Sequence, residues 1–137
     1  AAAIYTKNAV KAAHIYIDME HLKNGRARAI VVNSGNANAC APNGEKHVEA
    51  TCTAAAEVLG ISPDDVLAAS TGVIGQELNV GVITGGLPAL ASKLSADAAG
   101  SDAAACAIMT TDTVKKERIE SSDATRLYQS FLCGILL

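Results

Sequence analysis

The chain has 137 residues, 50% of them hydrophobic, 3% aromatic and none of them tryptophan. That is the length of one domain, with enough Ala, Val, Ile and Leu for a core, and it excludes a disordered chain. Eleven Lys and Arg against 14 Asp and Glu give a formal charge of −3, which excludes the basic footprint that nucleic-acid binding needs. The one basic cluster, Lys115, Lys116 and Arg118, is interleaved with Asp112, Glu117 and Glu120. No apolar stretch approaches the roughly twenty residues of a membrane span, and the opening AAAIYTKNAV lacks the basic start and apolar run of a secretion signal. A soluble, cytoplasmic protein with no nucleic-acid or membrane partner is expected. The absent initiator Met and the apolar tail Phe131 to Leu137 lead to the expectation that the chain is a piece of something longer.

In chain order, Ala3 to Thr6 and Ala12 to Asp18 read as strands, the second because His14, Tyr16 and Asp18 alternate with Ile15 and Ile17. Met19 to Asn24 reads as a short turn or helix closed by Asn24-Gly25, a strong turn signal. The β-branched run Arg28 to Val32 predicts a buried strand that runs into a tight loop at Asn33-Ser34-Gly35-Asn36. From Gly44 to Leu59 the period changes: Val48, Cys52, Ala55 and Leu59 mark one face of a helix that Gly60 ends. Ser62-Pro63-Asp64-Asp65 predicts a single helical turn. A short strand, Val66 to Ser70, and a second loop, Ser70 to Gly75, come next. Val82 to Ser95 places Ile83, Leu87, Leu90 and Leu94 on one helical face. Gly85, Gly86 and Pro88 weaken its start, so the firm part is expected near Leu87. Asp102 to Ile108 is a further helix, stopped by the polar run Thr110 to Thr113. Strands and helices alternate without a clean βαβ repeat, which leaves α/β built of mixed α+β layers as the class, in a single domain.

Four cysteines, Cys40, Cys52, Cys106 and Cys133, lie far apart with no CxxC pair. They read as reduced, buried or half-buried thiols rather than as zinc ligands or disulfides. His14, His21 and His47 have no metal-ligand spacing, so no metal site is expected.

Three polar segments follow apolar elements and are the places where chemistry could sit. Asn33 to Ala39 holds three Asn and a Gly; the amides either satisfy local backbone or form a site floor of donors. Ser70-Thr71-Gly72-Val73-Ile74-Gly75 sets a hydroxyl beside a glycine N–H, a pair of donors suited to an oxyanion, although a strand-to-helix turn would use the same residues. It is neither a GxGxxG fingerprint nor a Walker loop. Thr110-Thr111-Asp112-Thr113 with Lys115 and Lys116 could grip a carboxylate or zwitterion, or simply cap an element.

RARAIVVNSGNANAC, VLAASTGVIGQEL and AIMTTDTVKK, in that order and with AIYTKN near the start, resemble the front portion of the ornithine acetyltransferase (glutamate N-acetyltransferase) family of arginine biosynthesis, over roughly residues 3–116. The resemblance implies a self-cleaving acetyltransferase-like or aminopeptidase-like fold, of which this is the N-terminal, α-chain part. It implies a precursor that cuts itself at an Ala-Thr bond and a second, β chain whose new N-terminal Thr is the nucleophile, with its own α-amine as base. Acetyl then passes from N-acetylornithine to glutamate through a covalent acyl-enzyme. By the same resemblance Thr71 and Gly72 form the oxyanion hole, and Thr110, or its neighbour Thr111, binds substrate. No bound cofactor is implied; acetyl-coenzyme A serves as a donor in bifunctional members, and the residues leave both modes open. A hetero-oligomer of α and β chains in the cytoplasm is implied as well.

The chain departs from the family pattern in three places. His14 stands where the family usually has Pro. The Lys-Gly-x-Gly-Met approach to the scissile pair is missing, so Ala124-Thr125, which follows Ser121-Ser122-Asp123, reads as a coincidence and no nucleophile is recognisable. Residues 117–137 form a divergent tail. A related self-cleaving aminopeptidase-type hydrolase and an inactive truncated remnant are the alternative readings.

Overall fold

The computed structural model describes residues 1–109 and 113–115, together with the backbone of 133–136. Three parallel strands lie in the order β2-β1-β3: β1 (Ala29–Asn36) in the middle, β2 (Val66–Val73) on one side and β3 (Cys133–Leu136) on the other. Among the described residues four α-helices accompany them, α1 (Ala13–His21), α2 (Gly44–Leu59), α3 (Val80–Ala91) and α4 (Ala98–Ala107), with 3₁₀ turns at Leu22–Asn24 and Pro63–Asp65. The class is mixed α/β, as the sequence predicts. A βαβ unit is nonetheless present: β1, α2 and β2 form one parallel crossover.

The core lies between the sheet and α2. Val48, Cys52, Ala55 and Ala56 of α2 meet Ala29 and Val31 of β1 and Val66 and Ala68 of β2, all at most 6% exposed, with Leu87 of α3 beside them. Helix α2 takes the predicted bounds and face, with Leu59 packed half-buried at its end. Gly60 closes it in the left-handed conformation, φ 64°, and its N–H donates to Ala56 O. The small side chains of α2 let the helix sit close to the sheet, where full burial of one aliphatic side chain such as Val66 is worth about 1.5–3 kcal/mol.

Several expected elements differ. Residues 3–6 form no strand: Ile4 is fully exposed, and local side-chain bonds take over, Asn8 N–H to Thr6 Oγ1 and Val10 N–H to Asn8 Oδ1. The segment expected as a strand from Ala12 is helix α1. Its inner face is His14, Ile17, Asp18 and His21, spaced three and four apart, and two of its buried positions are polar. Asp18 and His21 cover the free edge of β2. The Ala68 N–H donates to Asp18 Oδ1 (2.9 Å), and His21 Nδ1 donates to Val66 O (2.7 Å). Burial raises the Asp18 carboxyl to about 6, with the Ala68 N–H and the nearby His21 pulling in the opposite direction.

Helix α3 begins at Val80 rather than near Leu87. Buried Ile83 and Leu87, one turn apart, hold both halves in the core, and tertiary packing outweighs the penalties of Gly85, Gly86 and Pro88. Helix α4 starts at Ala98, earlier than expected, because Asp97 caps it by accepting the Gly100 N–H (2.8 Å). Cys40, Cys52 and Cys106 are free thiols; of these three Cys52 is buried, whereas Cys40 and Cys106 are exposed. Among the described residues no helix is long and apolar enough to cross a membrane.

Candidate functional site

Both glycine-containing segments, expected as loops after strands, are the ends of strands. Residues 33–36 and 70–73 pair in parallel register: Asn33 with Ser70, Ser34 with Thr71, Gly35 with Gly72, Asn36 with Val73. Gly and Asn are depleted in strands, so propensity alone favours loops here. The pairing survives because the two glycines face each other. Gly35 has φ 123° and Gly72 φ 126°, a region closed to most side chains. A Cβ at Gly72 would lie against the Gly35 carbonyl and 2.8 Å from the Asn36 nitrogen. The two backbones therefore approach where neither carries a side chain.

Thr71, next to this glycine pair, is exposed, as is Gly72. Among the described residues no hydrogen bond engages the Thr71 hydroxyl. Its register partner Ser34 is 6% exposed, and its buried hydroxyl has no partner among the described residues. A free hydroxyl next to a glycine N–H at an exposed strand end has the donor composition that stabilises a developing oxyanion.

The asparagine amides are spent on the chain itself. Asn33 Nδ2 donates to Asn36 O (2.8 Å), Asn36 Nδ2 to Gln76 O and Glu77 O, and Asn38 Nδ2 to Gly44 O (3.0 Å). Of the two readings of Asn33 to Ala39, local backbone satisfaction holds for the Asn33 and Asn38 amides, whereas the Asn36 amide reaches backbone of the segment after β2. Asn38, 1% exposed and left-handed at φ 47°, ties the strand end to the start of α2 and also accepts the Ala13 N–H at its carbonyl. Beyond Gly72 the chain turns back through Ile74 and Gly75 toward α2. There Glu77 Oε1 accepts from Asn43 Nδ2 (3.0 Å) and lies 3.7 Å from His47 Nε2. Sequence reasoning missed Asn43, His47 and Glu77 because Glu77 lies far along the chain from the other two and the three match no spacing motif.

Thr110, Thr111 and Asp112 lie outside the described residues, as does Ala124-Thr125; Thr113 and Lys115 are described and exposed. Buried Cys52 offers no thiolate: desolvation, then Asp18 and Glu49, pushes its pKa up to about 12. Desolvation also lowers the pKa of buried His14. Among the described residues no three His, Cys, Asp or Glu side chains are grouped to hold a metal ion. The apolar groove between β1, α2 and α3, lined by Val58, Leu59, Leu90 and Leu94 among others, contains no catalytic group.

This parallel sheet with its flanking helices is that of the ornithine acetyltransferases. The crystal structure of ornithine acetyltransferase complexed with ornithine from Mycobacterium tuberculosis matches with a TM-score of 0.80 and 38% identity, over 83% of this chain and 62% of that one. The arginine biosynthesis bifunctional protein ArgJ from Bacillus halodurans matches with a TM-score of 0.76 and 39% identity, over 83% of this chain and 60% of that one. The ArgJ family model matches residues 1–135, and the chain belongs to the ArgJ family. The arginine biosynthesis bifunctional protein ArgJ of Geobacter sulfurreducens is 49% identical over 116 residues, 84% of this chain and 29% of that protein. Its counterpart in Caldanaerobacter subterraneus is 47% identical over 131 residues, 90% of this chain and 32% of that protein. The chain thus spans about a third of the length of these relatives.

Proposed function

We propose that this chain is the α-chain portion of an arginine-biosynthesis acetyltransferase that moves acetyl from N-acetylornithine to glutamate. The observation that carries this reading is the register-matched pairing of residues 33–36 with 70–73, which places Thr71 and Gly72 at an exposed strand end in an ArgJ-family chain. The Thr71 hydroxyl and Gly72 N–H are the oxyanion donors, and Thr110 or Thr111 contacts the amino-acid substrate. The nucleophile is the N-terminal Thr of a separate β chain, with which this chain forms a hetero-oligomer. That hydroxyl adds to the acetyl carbonyl while the α-amine takes its proton. Charge on the carbonyl oxygen then falls between the two donors. Collapse expels the ornithine amine with a proton and leaves acetyl on the Thr, from which the glutamate amine takes it. The donors are preset by the strand pairing, so little reorganisation accompanies charge formation. No bound cofactor is required; acetyl-coenzyme A as a donor in place of N-acetylornithine is the bifunctional variant of the same step.

Complementation tests this. The purified chain alone should give no acetyl transfer from N-acetylornithine to glutamate. Addition of a β chain from an ArgJ relative should restore it, with ping-pong kinetics. Transfer by the chain alone that Thr125→Ala abolishes would make Ala124-Thr125 the working pair and overturn the two-chain reading. No transfer in any combination, from a folded complex, would leave the inactive remnant as the correct description. Peptide or amide hydrolysis without transfer would favour the aminopeptidase-type reading.

A further inference from the structure

The return segment after Gly72 is tied by backbone and side chains to the stretch that follows β1, and by side chains to the start of α2. Ala37 N–H donates to Val73 O and Gly75 N–H to Ala39 O, each at 2.9 Å. Asn36 Nδ2 reaches two successive carbonyls, Gln76 O at 3.2 Å and Glu77 O at 3.3 Å, while its Oδ1 accepts the Asn38 N–H at 2.8 Å. Glu77 then extends its carboxylate to α2, where a single oxygen, Oε1, meets both Asn43 Nδ2 (3.0 Å) and His47 Nε2 (3.7 Å). Leu78, 7% exposed, anchors the next position. The His47 side chain is 14% exposed, its Nε2 faces Glu77, and among the described residues its buried Nδ1 has no hydrogen-bond partner. Asn43 holds its side chain in place from a left-handed backbone, φ 56°, directly before α2.

We propose that Asn43 and His47, through the carboxylate of Glu77, are positioning residues that clasp the 74–78 return to α2 and so fix the presentation of Thr71 and Gly72. The proposal rests on the reading of those two residues as oxyanion donors. The Glu77 side chain is 54% exposed, so its charge reaches the site weakly through solvent. The clasp works by geometry. Without it the return is held, among the described residues, by backbone contacts, by Asn36 and by buried Leu78. The donors are then free to shift by the fraction of an ångström that matters for a group aimed at a transition state.

Three variants test the clasp in two assays. Glu77→Ala removes the acceptor. Asn43→Gly removes the donor while keeping the left-handed backbone unstrained. Glu77→Gln keeps an oxygen for Asn43. In the chain itself, Glu77→Ala and Asn43→Gly should speed hydrogen exchange of the 74–78 amides about tenfold and leave β1 unchanged. In the complex with a β chain, both should lower kcat about three- to tenfold with KM within about twofold, and the double variant should lose less than the product of the two. Glu77→Gln should retain most of the activity. Unchanged exchange in Glu77→Ala, or an unchanged kcat, overturns the clasp. A loss of kcat in Thr71→Val with none in Glu77→Ala refutes the clasp alone. An intact kcat in Thr71→Val refutes the oxyanion reading instead, and the exchange measurement on the chain still decides whether the clasp exists.

Discussion

Two glycine substitutions separate backbone strain from close approach at the paired strand ends. Gly35 and Gly72 have nearly the same φ, 123° and 126°, and face each other in register. An alanine at either position is held in a conformation that costs about 1–3 kcal/mol for a residue with a side chain. Their surroundings differ. A Cβ at Gly35 meets nothing within 4 Å, whereas one at Gly72 collides with the Gly35 carbonyl and lies 2.8 Å from the Asn36 nitrogen. Those neighbours are backbone in the central strand and have no rotamer by which to move aside, so overpacking adds about 1–3 kcal/mol at Gly72 only. Gly72→Ala should therefore destabilise by about 2–6 kcal/mol and Gly35→Ala by about 1–3 kcal/mol. Urea unfolding followed by circular dichroism, with a common slope, gives both values. Equal costs at the two positions would refute the close approach of the strand ends, and with it the preset geometry assigned to Thr71.

Asp18 makes stability depend on pH. Its folded-state pKa of about 6 lies above the ordinary 3.8, so its stabilising, protonated form is fully present below about 4 and is lost as pH rises through 6. At about 1.4 kcal/mol per unit, wild type should lose about 2–3 kcal/mol between pH 4 and 7 relative to Asp18→Asn, which keeps an oxygen for the Ala68 N–H. Parallel pH profiles of the two proteins in urea unfolding would contradict this. Leu59→Ala, at a half-buried position at the end of α2, should cost about 1–3 kcal/mol, below the full range for a buried Leu; a thermal unfolding midpoint shifted by less than about 1 °C would place the side chain outside the core.

The helix face of α2, its glycine stop and the Pro63 turn were legible because apolar spacing and local caps determine them. Helix α1 was not, because His14 and Asp18 occupy inward positions that a hydrophobic pattern assigns to solvent; the period of three and four is visible only once polar residues are allowed to face a strand edge. Propensity misplaced 33–36 and 70–73 in loops. A signal was available, since each strand runs through four apolar residues into a segment with glycine in its third place, but the value of the match appears only when the strands are set side by side. Thr71 and Gly72 could be named from the chain through a resemblance. The support around them, Asn36 on the return and Asn43 with His47 on Glu77, joins residues distant in the chain and has no local signature.

The central claim is that the Thr71 hydroxyl stabilises charge that exists only during acetyl transfer. Steady-state kcat and KM of Thr71→Val, with Thr71→Ser beside it, in the complex with a β chain test it most directly. Valine keeps the branched shape and deletes the donor; serine keeps the donor. Loss of one oxyanion donor typically costs about 10²–10³ in kcat. Thr71→Val should show a fall of that order with KM nearly unchanged, and Thr71→Ser should retain far more activity. A Thr71→Val enzyme with wild-type kcat, or one that changes only KM, would make Thr71 a substrate contact or a turn residue and contradict the assignment.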